Sequence, residues 1–175
     1  MTLVRRSLAE FLGTALLLVA VVGSGISAER LTTDVGLQLL VNALVSGAVL
    51  AAVILAVGPV SGAHLNPVVT LADRVFGGLS NRDAGAYVAA QVTGGVAGTV
   101  VANLMFSLPA VELSTRSRSS AGLWLGEVVA TFGLALVVFG VVRSGRPTAA
   151  PFAVGTYVGA AVLFTSSTSF ANPAV

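Results

Sequence analysis

The sequence predicts an all-α membrane protein, a helical bundle built as an inverted repeat with re-entrant half-helices. Three observations predict it. The mean hydropathy is +0.96, and 55% of the 175 residues are hydrophobic while 9% are charged. Two Asn-Pro dipeptides, at residues 66–67 and 172–173, each follow an apolar span and a small polar loop. Two of the apolar spans also open with a similar Glu-containing sequence. Such a composition is too apolar for an ordinary soluble domain and fits a polytopic membrane protein.

Five apolar spans approach the ~20 residues that a membrane-crossing helix needs. They are residues 8–26, 35–57, 84–106, 123–142 and 149–165. Between the second and third spans, residues 67–76 would rise only about 15 Å, half of the hydrocarbon core, which predicts a re-entrant half-helix. We expect the preceding loop, residues 58–63, to be non-helical backbone at membrane depth. Such backbone is tolerated only where it is buried in protein or lines a watery cavity.

Both Asn-Pro dipeptides are helix-start signals. Asn is a favoured N-cap, and Pro at the first helical position loses no hydrogen bond. While the Asn oxygen caps its helix, the side-chain NH₂ stays free to donate elsewhere. Two such helix ends that face one another would place two amide donors and two positive dipole ends around one point.

The spans repeat in order as well as in composition. Residues 9–14 (Ala-Glu-Phe-Leu-Gly-Thr) open the first span and residues 126–131 (Gly-Glu-Val-Val-Ala-Thr) open the fourth, each with a Glu and then a Thr four residues later. Each unit continues with a second span, a Ser-containing loop and Asn-Pro. We therefore expect one transmembrane domain, residues 1–175, with a first repeat over 1–106 and an incomplete second repeat over 120–175. Three spans separate the units, so the second is inverted in the membrane.

The charged residues set the expected orientation and exclude several classes of function. Placing the N-terminus in the cytoplasm puts six arginines inside and three outside, which favours that orientation in the cell inner (plasma) membrane. The inside set is Arg5, Arg6, Arg74, Arg82, Arg143 and Arg146, and the outside set is Arg30, Arg116 and Arg118. The arginines are scattered singly, which argues against nucleic acid binding. The sequence has one His and no Cys, which argues against a metal site. It contains no nucleophile–base pair and no phosphate-binding loop, so nothing in it indicates an enzyme or a cofactor.

These motifs resemble those of a known family, the major intrinsic proteins, which comprise aquaporins and aquaglyceroporins. The similarity covers nearly the whole chain. It rests on the first signature at residues 61–67 with Thr-Leu-Ala at 70–72, the second at 170–174, the Glu-bearing residues 9–14 and Ala-Gln at 90–91. The resemblance implies an aquaporin-like bundle that acts as a passive channel for water and small uncharged solutes, in a lipid bilayer and as a homotetramer.

The resemblance also implies roles for individual residues. The Asn-Pro motifs would meet at mid-membrane, with Asn66 and Asn172 donating to the passing solute and the paired dipoles repelling cations. The two motifs are Asn66, Pro67, Val68 and Asn172, Pro173, Ala174. The pore-lining loop is Gly62, Ala63 and His64, and the buried braces for the loops are Glu10, Glu127 and Gln91. Two alternatives stay open: the carboxylates simply face water at interfacial depth, and His64 is a satisfied structural residue instead of a pore-lining or pH-gating one.

The expected constriction departs from the family pattern. Counting from the Asn-Pro anchors places its four positions at Ser46, Ala160, Ser169 and Val175. Water-selective members carry aromatic and His side chains and an Arg there, so this chain should have a wider mouth with less positive charge. A bacterial branch with Val in place of the Arg is associated with arsenic detoxification, which makes arsenite, as neutral As(OH)₃, a candidate solute by analogy.

Two further expectations concern helix crossings and completeness. Gly94/Gly98 and Gly155/Gly159 form G-x-x-x-G patterns, which indicate close helix crossings unless they are chance pairs of small residues. The chain stops two residues after Pro173, so the second half-helix and a sixth span are missing from it. We expect that it forms no competent pore by itself, and a non-conducting fragment is one alternative function. A small inverted-repeat secondary transporter is another alternative function, although such a transporter would require ionisable groups at the midplane of the membrane.

Overall fold

The computed structural model describes residues 1–115 and 118–175. Arg116, one of the three arginines expected on the outer side of the membrane, is therefore not among the described residues. The described chain forms six α-helices and a 3-10 turn at Pro147–Ala149. The helices are α1 (Leu3–Leu31), α2 (Val35–Ser61), α3 (Pro67–Val75), α4 (Asn81–Met105), α5 (Ala121–Arg143) and α6 (Ala150–Phe164). Five segments are long and apolar enough to cross a membrane, and α3 is the short exception. The predicted helical membrane fold is confirmed.

Most of the membrane-crossing helices begin before the apolar stretch does. The side chains of Thr2, Asp34, Ser80 and Ser120 each accept a backbone N–H of the first turn. These caps satisfy donors that the helix itself leaves unpaired. The helix ends are therefore set by polar residues that a hydropathy pattern does not register. We call the end of the bundle where α1 ends and α2 begins the upper end, and the opposite end the lower end.

The two G-x-x-x-G patterns lie at close helix crossings. A Cβ added at Gly98 would lie 2.2 Å from the carbonyl oxygen of Ala15 on α1. One added at Gly155 would lie 2.5 Å from the carbonyl oxygen of Gly47 on α2. These distances are possible only because glycine has no side chain. The matched positions show that α4 runs parallel to α1, whereas α6 runs antiparallel to α2.

The loop before the first Asn-Pro is shorter than the sequence predicts. Residues 58–61 continue α2 through Pro59, and the helix ends at Gly62, which has φ +89°. The prediction of a non-helical segment from residue 58 is wrong because Pro59 lies in the last turn, where it removes a single ladder bond. The Gly62 N–H then closes the helix on the Gly58 carbonyl at 2.9 Å, in the left-handed conformation that glycine adopts easily.

The two loops before the Asn-Pro dipeptides share an unusual backbone. Ala63 and Leu65 have φ of 51° and 53°, and Ser169 and Ala171 have φ of 49° and 44°. Non-glycine residues seldom adopt positive φ. Thr168 has a φ of 61° as well, so the second loop contains two such residues in succession. Each loop therefore has a conformation that regular secondary structure does not provide.

Candidate functional site

The two Asn caps lie against each other in the interior of the bundle. The Asn66 Oδ1 accepts the Val68 N–H at 2.8 Å and caps α3. The Asn172 Oδ1 accepts the Ala174 N–H at 3.0 Å in the same manner. Each cap also donates across the interface: Asn66 Nδ2 to the Ala171 carbonyl at 2.7 Å, and Asn172 Nδ2 to the Leu65 carbonyl at 2.8 Å. These reciprocal bonds lock the loops together and leave one N–H on each amide for another acceptor.

Glu10 on α1 holds the first loop from behind. Its side chain is fully buried. One carboxylate oxygen accepts the Ser61 hydroxyl at 2.6 Å and the His64 N–H at 3.0 Å. The other accepts the Leu65 N–H at 2.7 Å and the Gln91 side-chain NH₂ at 2.8 Å. Because four donors converge on it, the carboxylate stays hydrogen-bonded although it is out of water.

Glu127 on α5 makes the corresponding contacts with the second loop. It accepts the Phe170 N–H at 3.0 Å and the Ala171 N–H at 2.8 Å. In both units the carboxylate therefore binds the N–H groups just before the Asn cap. The carbonyls of Leu65 and Ala171 face the opposite loop, where they accept hydrogen bonds from Asn172 and Asn66, respectively.

His64 lies between the structural network and the cavity. Its Nδ1 is 3.2 Å from the Thr70 hydroxyl, and its Nε2 is 4.0 Å from the Asp73 carboxylate. Its ring packs edge-on against Tyr87, with centroids 5.4 Å apart. His64 also lines the cavity, as Gly62 and Ala63 do. The structural role and the pore-lining role of His64 therefore both have support in the surroundings of this one side chain.

A cavity of about 670 Å³ runs along the bundle past the Asn pair. Its lining residues come from both ends of the bundle, with Glu29 and Val35 at the upper end and Asp73 and Val142 at the lower end. Residues with aliphatic side chains form much of the wall, and the polar lining residues include Asn66, Asn172 and His64. In residues 1–115 and 118–175, no group of three or more His, Cys, Asp or Glu side chains could hold a metal ion.

Three of the four positions expected at the constriction line this cavity. They are Ser46, Ser169 and Val175. Within the described part of the chain, the hydroxyls of Ser46 and Ser169 are buried and have no hydrogen-bond partner. A buried hydroxyl without a partner is unfavourable unless a water or a ligand completes its bonding.

The fourth expected position, Ala160, lies elsewhere. It is exposed on α6 and does not line the cavity. The face of α6 that does so is formed by Val154, Val158 and Val162, spaced four residues apart. Counting back from the Asn-Pro anchor misplaces this position because the turn between α6 and Asn172 is irregular, whereas the helical period fixes which face points inward. Val158, two residues before Ala160, is one of the α6 residues that line the cavity.

Arg118, in the loop between α4 and α5, is a cavity-lining residue that we counted only as a charge outside the membrane. Its Nη1 donates to the Ser167 carbonyl at 3.3 Å, and its guanidinium carbon lies 4.2 Å from the centroid of the Phe170 ring. Serines and small residues surround it in sequence, and no pattern indicates where the loop folds back. Only the tertiary structure brings Arg118 to the upper opening of the cavity.

Comparisons with known proteins agree with this geometry. The family model described as "Major intrinsic protein" matches residues 1–175. The chain is 50% identical over 173 residues to the aquaglyceroporin AqpS of Rhizobium meliloti, covering 99% of this chain and 74% of that protein. It is 34% identical to aquaporin A of Dictyostelium discoideum, over 94% of this chain and 63% of the relative. The crystal structure of the aquaglyceroporin from Plasmodium falciparum superposes with a TM-score of 0.72 at 26% identity, over 93% of this chain and 71% of that one.

Proposed function

This chain belongs to the major intrinsic protein family, and from that premise we propose that its cavity conducts small uncharged solutes larger than water, namely polyols and metalloid hydroxides such as arsenite. Family membership and the similarity to aquaglyceroporins support a passive channel for water and small solutes, rather than the non-conducting fragment or the secondary transporter that the sequence left open. The observation that carries the proposal is the continuous cavity that passes the reciprocally bonded Asn66 and Asn172.

The polar groups along the cavity suit a neutral solute that carries hydroxyls. Each Asn amide retains one N–H donor, and the hydroxyls of Ser46 and Ser169 lack partners within the described residues. A polyol or As(OH)₃ has several O–H groups that both donate and accept hydrogen bonds. The polar groups along the cavity can therefore replace, one after another, the water molecules that hydrate the solute. The positive N-terminus of α3 points at the Asn pair and opposes the passage of cations.

The side chains at the expected constriction support solutes larger than water. Ser169 and Val175 are small or aliphatic, and Val158 rather than an aromatic residue faces the cavity from α6. Val175 also lacks the charge and the donors that an Arg would bring. The relative AqpS carries the name aquaglyceroporin, which agrees with a solute of glycerol size or larger.

The remaining expectations complete the proposal. The exterior of the bundle exposes large apolar side chains, among them Leu16, Trp124 and Phe132, which suits contact with lipid and with neighbouring subunits. We propose a homotetramer in the cell inner membrane with the N-terminus in the cytoplasm. We also propose two repeats, residues 1–106 and 120–175, because Glu10 and Glu127 make corresponding bonds with their loops. The protein then acts as a channel, without an enzymatic activity or a cofactor.

A pair of neighbouring substitutions on α6 tests where the solute passes. We expect Val158→Phe to reduce glycerol flux at least tenfold, because the ring would project into the cavity. Ala160→Phe adds the same ring two residues away, on an exposed face, and should leave glycerol flux within about twofold of the unsubstituted protein. The measurement is stopped-flow light scattering of proteoliposomes in a glycerol gradient, at equal protein content.

The reverse ranking of these two variants would contradict the assignment. If Ala160→Phe blocked glycerol and Val158→Phe did not, the constriction would lie where the Asn-Pro anchors place it by counting. If neither variant altered the flux, the solute would not pass through this cavity. Equal elution of both variants from a size-exclusion column would show that a difference between them reflects conduction rather than folding.

A further inference from the structure

Arg118 brings a positive charge to the upper opening of the cavity from outside the helical bundle. The residue belongs to the loop between α4 and α5, and two contacts hold it over the second Asn-Pro loop. Its Nη1 donates to the Ser167 carbonyl at 3.3 Å. Its guanidinium lies 4.2 Å above the centroid of Phe170, close enough for a cation–π interaction.

Arg118 forms no ion pair with a carboxylate in the described part of the chain. Within the described part of the chain, the ion pairs within 4 Å are Arg6 with Asp83 and His64 with Asp73, and neither includes Arg118. Among the described residues that line the cavity, Arg118 is the one arginine, while Glu29 and Asp73 are the carboxylates. Arg118 therefore brings to the upper opening a positive charge with no ion-pair partner within 4 Å among the described residues, while the exposed Glu29 is the cavity-lining carboxylate at that end.

The contacts of Arg118 leave most of its donors available. A guanidinium has five N–H groups in a rigid planar fork, and the described contacts use one of them. The stacked ring of Phe170 covers one face of the plane and leaves its edge open. The segment that Arg118 touches, residues 167–170, also includes Ser169, whose unpartnered hydroxyl lines the cavity.

We propose that Arg118 determines the selectivity of this channel by supplying, from a loop, the positive charge and the N–H donors that Val175 does not provide. The inference rests on the proposed function, since it assumes that solutes pass the upper opening. A positive charge there raises the energy of an entering cation and has little effect on the energy of a neutral solute, whereas the free N–H groups donate to the hydroxyl oxygens of that solute. The wide cavity then excludes ions by charge rather than by size.

The size of the effect follows from electrostatics. At an effective dielectric constant of about 20, a unit charge roughly 10 Å from the path of a monovalent cation alters its occupancy by about tenfold. Screening by ~0.15 M salt, with a Debye length of about 8 Å, reduces this effect at an exposed opening. The difference between charged and neutral variants should therefore be largest at low ionic strength.

Arg30 offers a matched control. It lies at the same end of the bundle, donates to the Phe106 carbonyl at 2.6 Å and lies 5.1 Å from the centroid of the Phe106 ring. Its contacts are thus of the same two kinds as those of Arg118, but Arg30 does not line the cavity. Replacing either arginine by Gln removes one charge from the upper end, and only one of the two replacements alters the cavity.

The experiment compares the unsubstituted protein, Arg118→Gln, Arg118→Lys and Arg30→Gln in proteoliposomes at low salt. We expect Arg118→Gln to raise potassium and proton leak about tenfold, with glycerol flux changed by less than about threefold. Arg118→Lys should keep most of the exclusion because it keeps the charge, and Arg30→Gln should match the unsubstituted protein. Equal leak through Arg118→Gln and Arg30→Gln would overturn the inference.

The glycerol measurement separates the two proposals. If the unsubstituted protein conducts glycerol and both Gln variants leak equally, the proposed function stands and the role of Arg118 is wrong. If the unsubstituted protein conducts no glycerol, the proposed function itself fails. Leak that rises in Arg118→Lys as much as in Arg118→Gln would also contradict a role based on charge.

Discussion

Replacing Glu10 by Gln is expected to abolish solute flux and to lower the thermal stability of the protein markedly. The carboxylate is fully buried and accepts four donors. A Gln side chain has nearly the same shape, but its NH₂ would face donors where an acceptor is needed. Breaking a buried charged network in this way costs about 3–5 kcal/mol. The loop that carries Asn66 would lose the bonds that fix its backbone.

The measurement for Glu10→Gln pairs glycerol flux with thermal unfolding in detergent, followed by size-exclusion chromatography. Glu112→Gln is the control, because Glu112 is exposed in the loop between α4 and α5 and should change neither quantity. Unchanged flux and unchanged melting of Glu10→Gln would show that the first loop keeps its conformation without this carboxylate. The Glu10 carboxylate would then not be the group that positions Asn66 against Asn172.

Replacing Gly155 by Ala is expected to destabilise the protein although the substitution adds a single methyl group. The new Cβ would lie 2.5 Å from the Gly47 carbonyl oxygen and 2.9 Å from the Ala51 Cβ. The nearest of these atoms belongs to backbone, so α2 and α6 must separate to admit it. Overpacking of this kind costs about 1–3 kcal/mol. Since α6 carries one wall of the cavity, flux should fall as well.

Gly140→Ala is the matched control for Gly155→Ala. Gly140 lies on α5 and has nothing within 4 Å of its added Cβ. Ala is the better helix former by about 0.8–1.0 kcal/mol in a helix interior, so this variant should melt at the same or a higher temperature. If Gly155→Ala melted no lower than Gly140→Ala, the close crossing of α2 and α6 would not contribute to stability.

The helical architecture could be predicted because it depends on local signals. The lengths of the apolar segments predicted the five membrane-crossing spans, and the Asn66–Pro67 helix start predicted the short helix α3. The correspondence between Glu10 and Glu127 could be seen as a repeat in the sequence. Helix ends were less predictable. The helix α2 continues through Pro59, because the proline removes only one backbone hydrogen bond of the last turn and this cost in stability is too small to end the helix.

The details of the cavity could not be predicted because they depend on tertiary structure. Ala160 and Val158 are two residues apart, and only the orientation of α6 decides that Val158 faces inward. Arg118 reaches the cavity through a loop whose sequence contains no periodic pattern. Its contacts with Ser167 and Phe170 join residues about fifty positions apart in the chain, a pairing that no local motif specifies.

The most direct test of a passive pathway is the initial rate of glycerol flux into proteoliposomes reconstituted with this protein. We predict that the rate rises linearly with the glycerol gradient and does not change when ionophores collapse proton and sodium gradients. We also predict that glycerol and arsenite pass at least as readily as water. A rate that saturates and requires an ion gradient would indicate a secondary transporter instead, and permeability to water alone would contradict the wide cavity.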